Sequence, residues 1–303
     1  MDFDQLRSFV EVARHKNFSR AAAKMGLTQP AISTQIRQVE EEFGVKLFDR
    51  IGKKVFLTQP GALLLEHACR ILNAKKEALD ALRDLLPNPA GQLALGATEG
   101  ISLYYLPAVF AAFRTKHPEV KIGIYRNVTT KIVQKLQEDS LDLGFLSLPV
   151  DVREIETIPL LCEQVDVAVA ASHPLASRAS VTVEEIARCP WIFPKASRTR
   201  LMLEDLFRSV RSPVHVTMEV PGVETIKKFI GIGEGISLLS RSYAAAEVRA
   251  GSLKLIPLAE PKLEHKVGLA YRTDRYLSRS AQALIAIARH HFSRYSGTPA
   301  QAG

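Results

Sequence analysis

The most constraining feature of this 303-residue chain is the punctuation between two short helical patterns near its N-terminus. Ser19 stands as an N-cap candidate before Arg20–Met25, and Gly26 sits where a helix end needs a left-handed residue. Thr28 is a second N-cap candidate, with Pro30 in the first turn, where its missing N–H costs nothing. A helix then runs through residues 31–40, with Ile32, Ile36, Val39 and Phe43 as its apolar face. Upstream, Phe3, Leu6, Phe9, Val10, Val12 and Ala13 recur at helical spacing until His15-Lys16-Asn17 interrupts. Two short helices with so tight a turn let the second lie in a DNA major groove, N-terminal end first.

The opposite face of that helix shows Gln29, Ser33, Thr34 and Arg37. Gln and Arg read base edges, and Ser and Thr reach bases or phosphates. Helix spacing alone favours an ordinary solvated face. The next segment decides between the two: Leu47–Thr58 alternates about a Gly52-Lys53 turn, a hairpin pattern. Arg50, Lys53 and Lys54 are placed on it to neutralise phosphates. Net charge is a weaker guide. The chain is +8 overall, but residues 1–58 hold 10 basic and 7 acidic residues, so no segment is overwhelmingly basic.

The run FSRAAAKMGLTQPAISTQIRQVEEEFGVKLFDRIGKKVFLTQPGALLLEHA closely resembles the N-terminal signature of LysR-type transcriptional regulators. The resemblance covers the Ala-pair helix, the TQPAIS start of the third helix, the LFDR wing and the LT-x-x-G entry to a long helix. It implies that Gln29, Pro30, Ser33, Thr34 and Arg37 approach bases or backbone and that Arg50 and Lys53 lie along the wing. The family's position 34 is often basic and is Thr here, which puts that contact in doubt. Gln59-Pro60-Gly61 departs slightly from the family's P-A-G.

Residues 61–86 read as one long helix. Leu65, Ala68, Leu72, Leu79, Leu82 and Leu86 alternate by three and four, interrupted by Lys75. That pattern suits a two-stranded seam or the core face of a globular helix. The resemblance implies a dimerising linker. Pro87–Gly91 ends the pattern and is a hinge candidate.

Beyond residue 92, short apolar runs alternate with helical patterns, which predicts βαβ units and a parallel sheet. Strands are expected at 93–97, 120–125, 141–146, 165–171, 191–193, 214–220, 235–239 and 267–271. Helices are expected at 101–116, 129–138, 197–209, 222–230 and 278–293. Crossings near 162 and 265 would make two lobes with a cleft between them. The expected class is α/β: a winged helix-turn-helix over 1–58, a linker helix and hinge over 59–91, then a two-lobed domain over 92–303. Its lobes are about 92–161 with 266–303, and about 162–265. The order of strands, with the DLGFLS and GIGEGISLLS runs, resembles the effector-binding domain of the same family, itself similar to periplasmic solute-binding proteins.

Ligands of open α/β sheets sit beyond strand C-termini, near helix N-termini. That rule selects Thr98, Glu99, Thr129, Thr130 and Ser147 from the first lobe. From the second it selects Pro194, Ser197, Arg198 and Val223. Each Thr or Ser serves equally as a simple helix cap. Arg198 points to an anionic effector group; Glu99 points the other way, or to a bifunctional ligand such as an amino acid.

Competing readings fare worse. The N-terminal run lacks the apolar stretch of a signal peptide, and no 18-residue apolar run reads as a membrane span. Cys69, Cys162 and Cys189 are too scattered for a disulfide framework or zinc site, and a reducing cytoplasm is their simplest home. Gly231–Gly235 leads into a strand, so it reads as a turn rather than a phosphate loop. His290-His291 lacks a third metal ligand. No cofactor is expected. A solute-binding module and an α/β enzyme remain as rivals; the wing signature opposes the first, and no matched acid–base set supports the second. The expected partners are double-stranded DNA, a small organic acid or amino acid, RNA polymerase and further copies of the chain, as a homodimer or homotetramer.

Overall fold

The computed structural model describes residues 1–51, 54–85, 91–208 and 214–294, leaving aside the side chains of Arg50, Ile51, Lys54 and Arg83. The chain divides into two compact units, Met1–Pro87 and Asn88–Gly303.

The first unit is built from α1 (Phe3–His15), α2 (Phe18–Met25), α3 (Gln29–Phe43), β1 (Phe48–Ile51), β2 (Lys54–Leu57) and α4 (Gln59–Arg83). The Asp2–Gln5 capping box starts α1. Gly26 ends α2 at φ +68°, and Thr28 Oγ1 accepts from Ala31 N–H at 3.3 Å to start α3. Two expectations need correction here. Asn17, not Ser19, caps α2, its Oδ1 accepting from Arg20 N–H at 2.9 Å. The earlier start puts Phe18 on the buried face, edge-on to Phe48 with ring centroids 5.7 Å apart. Phe43 is 47% exposed and does not join the core; the chain reverses at left-handed Gly44 and delivers Leu47 there instead.

β1 and β2 pair antiparallel from Phe48↔Leu57 to Ile51↔Lys54, so the expected hairpin is present, while its turn at Gly52-Lys53 lies outside the described residues. Thr58 joins the hairpin to α4. Its hydroxyl donates to the Lys46 carbonyl at 2.6 Å and accepts from Gly61 N–H at 3.0 Å. Gly61 has no room for a side chain, since a Cβ would fall 2.1 Å from the Leu47 carbonyl oxygen. Leu65, Ala68 and Leu72 of the expected seam pack into the core of this unit, and Lys75 sits with Nζ 3.8 Å from the Phe3 ring centroid. Leu79 and Leu82 are exposed, as are Leu63 and Ile71 on the same helix, while Leu86 lies outside the described residues. The first half of the predicted seam is therefore spent inside the unit.

In the second unit, β3 (Gln92–Ala97), α5 (Glu99–Tyr104), α6 (Leu106–Lys116), β4 (Lys121–Arg126), α7 (Thr129–Gln137) and β5 (Leu143–Ser147) come first. The long strand β6 (Ile155–Ala170) follows, then α8 (Val183–Ala187), β7 (Trp191–Pro194), α9 (Arg198–Phe207), β8 (Val216–Val220) and α10 (Val223–Gly231). The chain closes with β9 (Ser237–Ser240), α11 (Arg241–Arg249), β10 (Leu253–Ile256), β11 (Leu263–Arg272) and α12 (Arg279–Ser293).

Among the described residues, seven strands form one mixed sheet in the order β10-β6-β11-β5-β3-β4, with β9 on β6; β7 and β8 pair separately. The expected parallel sheet holds only in part: β3 pairs parallel with β4 and β5, and β7 with β8, but β6 and β11 pair antiparallel with each other and with their other neighbours. These two strands run side by side from Leu263↔Val165 to Arg272↔Ile155 and carry the chain between the lobes. Pro159 sits opposite Gly268, where the register shifts, a place that tolerates a residue without an N–H.

Each lobe is cored on both sheet faces. In the first, Leu93, Leu95 and Phe145 meet Ile101, Leu106 and Phe292 on one side, while Ile132, Leu136 and Leu146 pack on the other. Gly96 and Gly144 lie beneath Ile132, where a Cβ would come within 2.5 Å and 2.9 Å of its Cγ2. Their smallness lets α7 sit close on the sheet. In the second lobe, fully buried Trp191 donates from Nε1 to the Ile186 carbonyl at 2.8 Å.

Candidate functional site

The third helix presents the polar face read from the sequence. Ile32, Ile36 and Val39 are buried, which turns Gln29, Pro30, Thr34 and Arg37 outward and leaves Ser33 half-buried. Gln29 Nε2 donates to Ser33 Oγ at 2.7 Å. Arg37 Nε lies 3.6 Å from Glu41, with both side chains about two-thirds exposed (66% and 68%). Such a pair is weak in water, so the guanidinium stays exchangeable for a stronger anion. Ser33, Thr34 and Arg37 line one side of a shallow depression that also includes Phe18, Lys46 and Phe48. The backbones of Arg50 and Lys54 belong to β1 and β2; their side chains, and all of Lys53, lie outside the described residues.

Glu40, which the sequence reading passed over, holds α3 to the hairpin. Its carboxylate accepts from Leu47 N–H at 2.9 Å, from Phe48 N–H at 3.4 Å and from Lys46 Nζ at 2.7 Å. Burial pushes this carboxyl up, but the Lys46 ammonium and the two backbone N–H groups outweigh burial and hold it below the usual range. Glu40→Ala is expected to lower unfolding stability by about 1–3 kcal/mol, because it strips the Leu47 N–H of its acceptor. Urea denaturation checks this, and a loss under about 0.5 kcal/mol, the size of an ordinary surface change, would count against it.

In the second unit, parallel β3, β4 and β5 place Thr98, Thr129 and Ser147 along one sheet edge, and parallel β7 and β8 place Pro194 and Gly222 at their own C-terminal ends. The selected residues differ in what their side chains do. Thr98, at the N-cap of α5, makes no capping bond through its hydroxyl. Thr129 and Thr130 open α7, whose cap position is Val128 and has no side-chain cap. Ser197 caps α9 by accepting from Arg200 N–H at 3.2 Å. Arg198 is exposed in the first turn, and Pro194 is buried at the end of β7. Glu99 and Val223 meet directly: Glu99 Oε2 accepts from Val223 N–H at 3.2 Å.

Ser147 is turned inward and 8% exposed, with Oγ 2.8 Å from His265 Nε2. The other ring nitrogen lies 3.2 Å from Ser240 Oγ and 3.8 Å from Glu163. Glu163 also accepts from the Tyr105 hydroxyl, from Ser242 Oγ at 2.6 Å and from Ser242 N–H at 3.3 Å. Burial pushes the Glu163 carboxyl up, but hydrogen bonds from His265, Ser242 and Tyr105 bring it below the usual range. Burial, and then the neighbouring Glu163 carboxylate, push the Tyr105 phenol up, so it stays a donor. Ser, His and Glu thus cluster as in a hydrolase, but the geometry is not that of a nucleophilic triad. The carboxylate is spent on Tyr105 and Ser242, and the cluster is buried at the paired positions Glu163↔His265 of the two crossing strands. Sequence reasoning missed Glu163 and His265 because each sits in an unremarkable strand; their common signal is pairing across 102 positions of chain, which only the β6–β11 register reveals.

Two family models match the chain. The bacterial regulatory helix-turn-helix model of the lysR family covers residues 3–62, and the LysR substrate binding domain model covers residues 87–293. The regulator CfxR of Cupriavidus necator is 31% identical over 296 residues, 97% of this chain and 92% of the relative. CbbR of Rhodospirillum rubrum is 32% identical over 283 residues, 93% of this chain and 94% of the relative. A full-length OxyR structure from Pseudomonas aeruginosa superposes with TM-score 0.75 at 26% identity, covering 95% of each chain. The same two-part fold is therefore present in regulators across most of the length of this protein. No helix among the described residues is long and apolar enough to cross a membrane. With the helix-turn-helix, its hairpin and the two-lobed α/β domain in place, the chain belongs to the LysR-type family: it is a DNA-binding transcription regulator with an effector-binding domain, and not an enzyme.

Proposed function

We propose that this regulator reads its operator through Gln29, Pro30, Ser33, Thr34 and Arg37 and steadies itself on phosphates through Arg50, Lys53 and Lys54. The observation that carries the reading is the outward polar face of α3, set beside the hairpin by the Glu40 bonds. Division of labour follows the segments 1–58, 59–91 and 92–303. The antiparallel pairing of β6 with β11 through Cys162↔Lys266 supports placing the lobe crossings there.

The effector, an organic acid or amino acid, binds between the lobes near Thr98, Glu99, Thr129, Thr130, Ser197, Arg198 and Val223. Pro194 and Ser147 belong to the same set and form its walls, both being buried. The exposed Leu63, Ile71, Leu79 and Leu82 of α4 support a homodimer made through this helix, and a homotetramer built from two such dimers. The regulator works in the cytoplasm, where its bound effector alters how DNA is presented to RNA polymerase. An effector does this only by binding two states of the protein with different affinity.

The test pairs a thermal-shift screen of small acids and amino acids with gel shifts on the DNA upstream of the regulator's own gene. A ligand present at about 100 times its Kd adds about 2.7 kcal/mol of stability and so raises the melting temperature. The expected result is a compound that stabilises the protein and also changes the mobility or affinity of its DNA complex. A sequence-specific complex that no stabilising compound alters would refute the effector reading.

A further inference from the structure

One pair of residues brings the edge of the first lobe onto the second. Glu99 Oε2 accepts the first free N–H of α10, that of Val223, at 3.2 Å. The approach depends on Gly222, which lies at φ +87° with no side chain: a Cβ there would stand 2.9 Å from Glu99 Oε1. Arg126 Nη1 is 4.0 Å from the same oxygen, but it is 58% exposed and contributes little. Residues that follow Glu99 in α5 also meet the second lobe. Gly100 packs beneath Tyr243, where a Cβ would come within 2.4 Å of the ring. Tyr104 stacks on Tyr243 at 4.8 Å and donates to Glu224 in the first turn of α10. Lys227 of α10 in turn lies 4.9 Å from the Tyr104 ring centroid and pairs with Glu224 at 2.9 Å and Glu247 at 2.8 Å.

A helix N-terminus presents free N–H groups and partial positive charge, which favours an anion. At α10 that anion is already part of the protein. We propose that Glu99 sets the charge specificity of the effector cleft on this side: it holds the α10 N-terminus itself, so an effector meets a carboxylate there and must offer a hydroxyl or amine donor. A carboxylate, sulfate or phosphate group is refused at this position, because it would have to displace Glu99 and then lie beside it. The idea rests on reading the cleft as the effector site, and it narrows the acids considered to those carrying a donor group, such as hydroxy acids and amino acids.

Inorganic sulfate is the probe. Melting temperatures of the full-length wild type, Glu99→Ala and Glu99→Gln are measured against sodium sulfate, with chloride at matched ionic strength to remove general salt effects. Glu99→Ala should gain a saturable sulfate-dependent stabilisation with an apparent Kd about tenfold or more below that of the wild type, the scale of one charge-assisted hydrogen bond. Glu99→Gln keeps a neutral acceptor for Val223 and should fall between the two. Indistinguishable sulfate responses from all three proteins would overturn the proposal. That outcome is separate from failure of the effector reading, which is judged by the acid and amino-acid screen and by DNA binding.

Discussion

Glu163→Ala is expected to destabilise the effector domain by roughly 3 kcal/mol, because it takes the acceptor from the Ser242 N–H and hydroxyl and leaves the Tyr105 hydroxyl with Ser242 Oγ at 3.1 Å in place of the carboxylate. Glu163→Gln keeps one acceptor oxygen and should cost about 1 kcal/mol. The two variants also differ from wild type in their response to acid. The Glu163 carboxyl is held below its usual range in the folded protein. Its contribution is therefore full above the unfolded value of about 4.3 and is lost as pH falls through the lower folded value. The stability gap between wild type and Glu163→Gln should narrow as pH falls below about 4.3. Guanidinium denaturation at several pH values reads this directly; a gap unchanged at low pH would show that the charge of Glu163 is not what its neighbours hold. The functional consequence follows from position. The cluster joins β5, β6, β9 and β11 with the ends of α5 and α11, so Glu163→Ala should weaken effector response while the separately cored helix-turn-helix retains DNA binding.

Arg37→Ala is expected to lower affinity for the true operator by about 1–3 kcal/mol, roughly 5- to 150-fold, while binding to unrelated duplex changes far less. Its side chain is about two-thirds exposed (66%) and its ion pair with Glu41 is weak, so stability should move by less than about 0.5 kcal/mol. Fluorescence anisotropy with specific and scrambled duplexes separates the cases. Equal losses on both duplexes would assign Arg37 to the phosphate backbone rather than to base edges.

Much of the DNA-binding unit was legible because its signals are local. Gly26, Thr28 and Pro30 do at α3 what turn and cap chemistry demands, and the LT-x-x-G run has its reason in Thr58 bonding Gly61 under the Leu47 carbonyl. The cap of α2 was misplaced by two residues because Ser19 and Asn17 are both good caps, and only the burial of Phe18 chooses between them. The α4 pattern left seam and core open because a residue facing its own core has the same spacing as one facing a partner, and its first half packs into the core. In the effector domain, Pro159 and the acidic residues of β6 hid a 16-residue strand, and α11 and β10 went unread. The cleft residues were selected by a rule about strand ends. Whether each side chain caps a helix, enters the buried network as Ser147 does, or reaches the opposite lobe as Glu99 does depends on contacts far apart in the chain.

The most direct test of the account is the affinity of the purified full-length protein for the duplex upstream of its own gene, against a scrambled duplex of equal length and composition at about 150 mM salt. Specific recognition by α3 predicts a preference of about a thousandfold or more, substantially eroded in Arg37→Ala. Equal affinity for the two duplexes, with the same salt dependence, would contradict it.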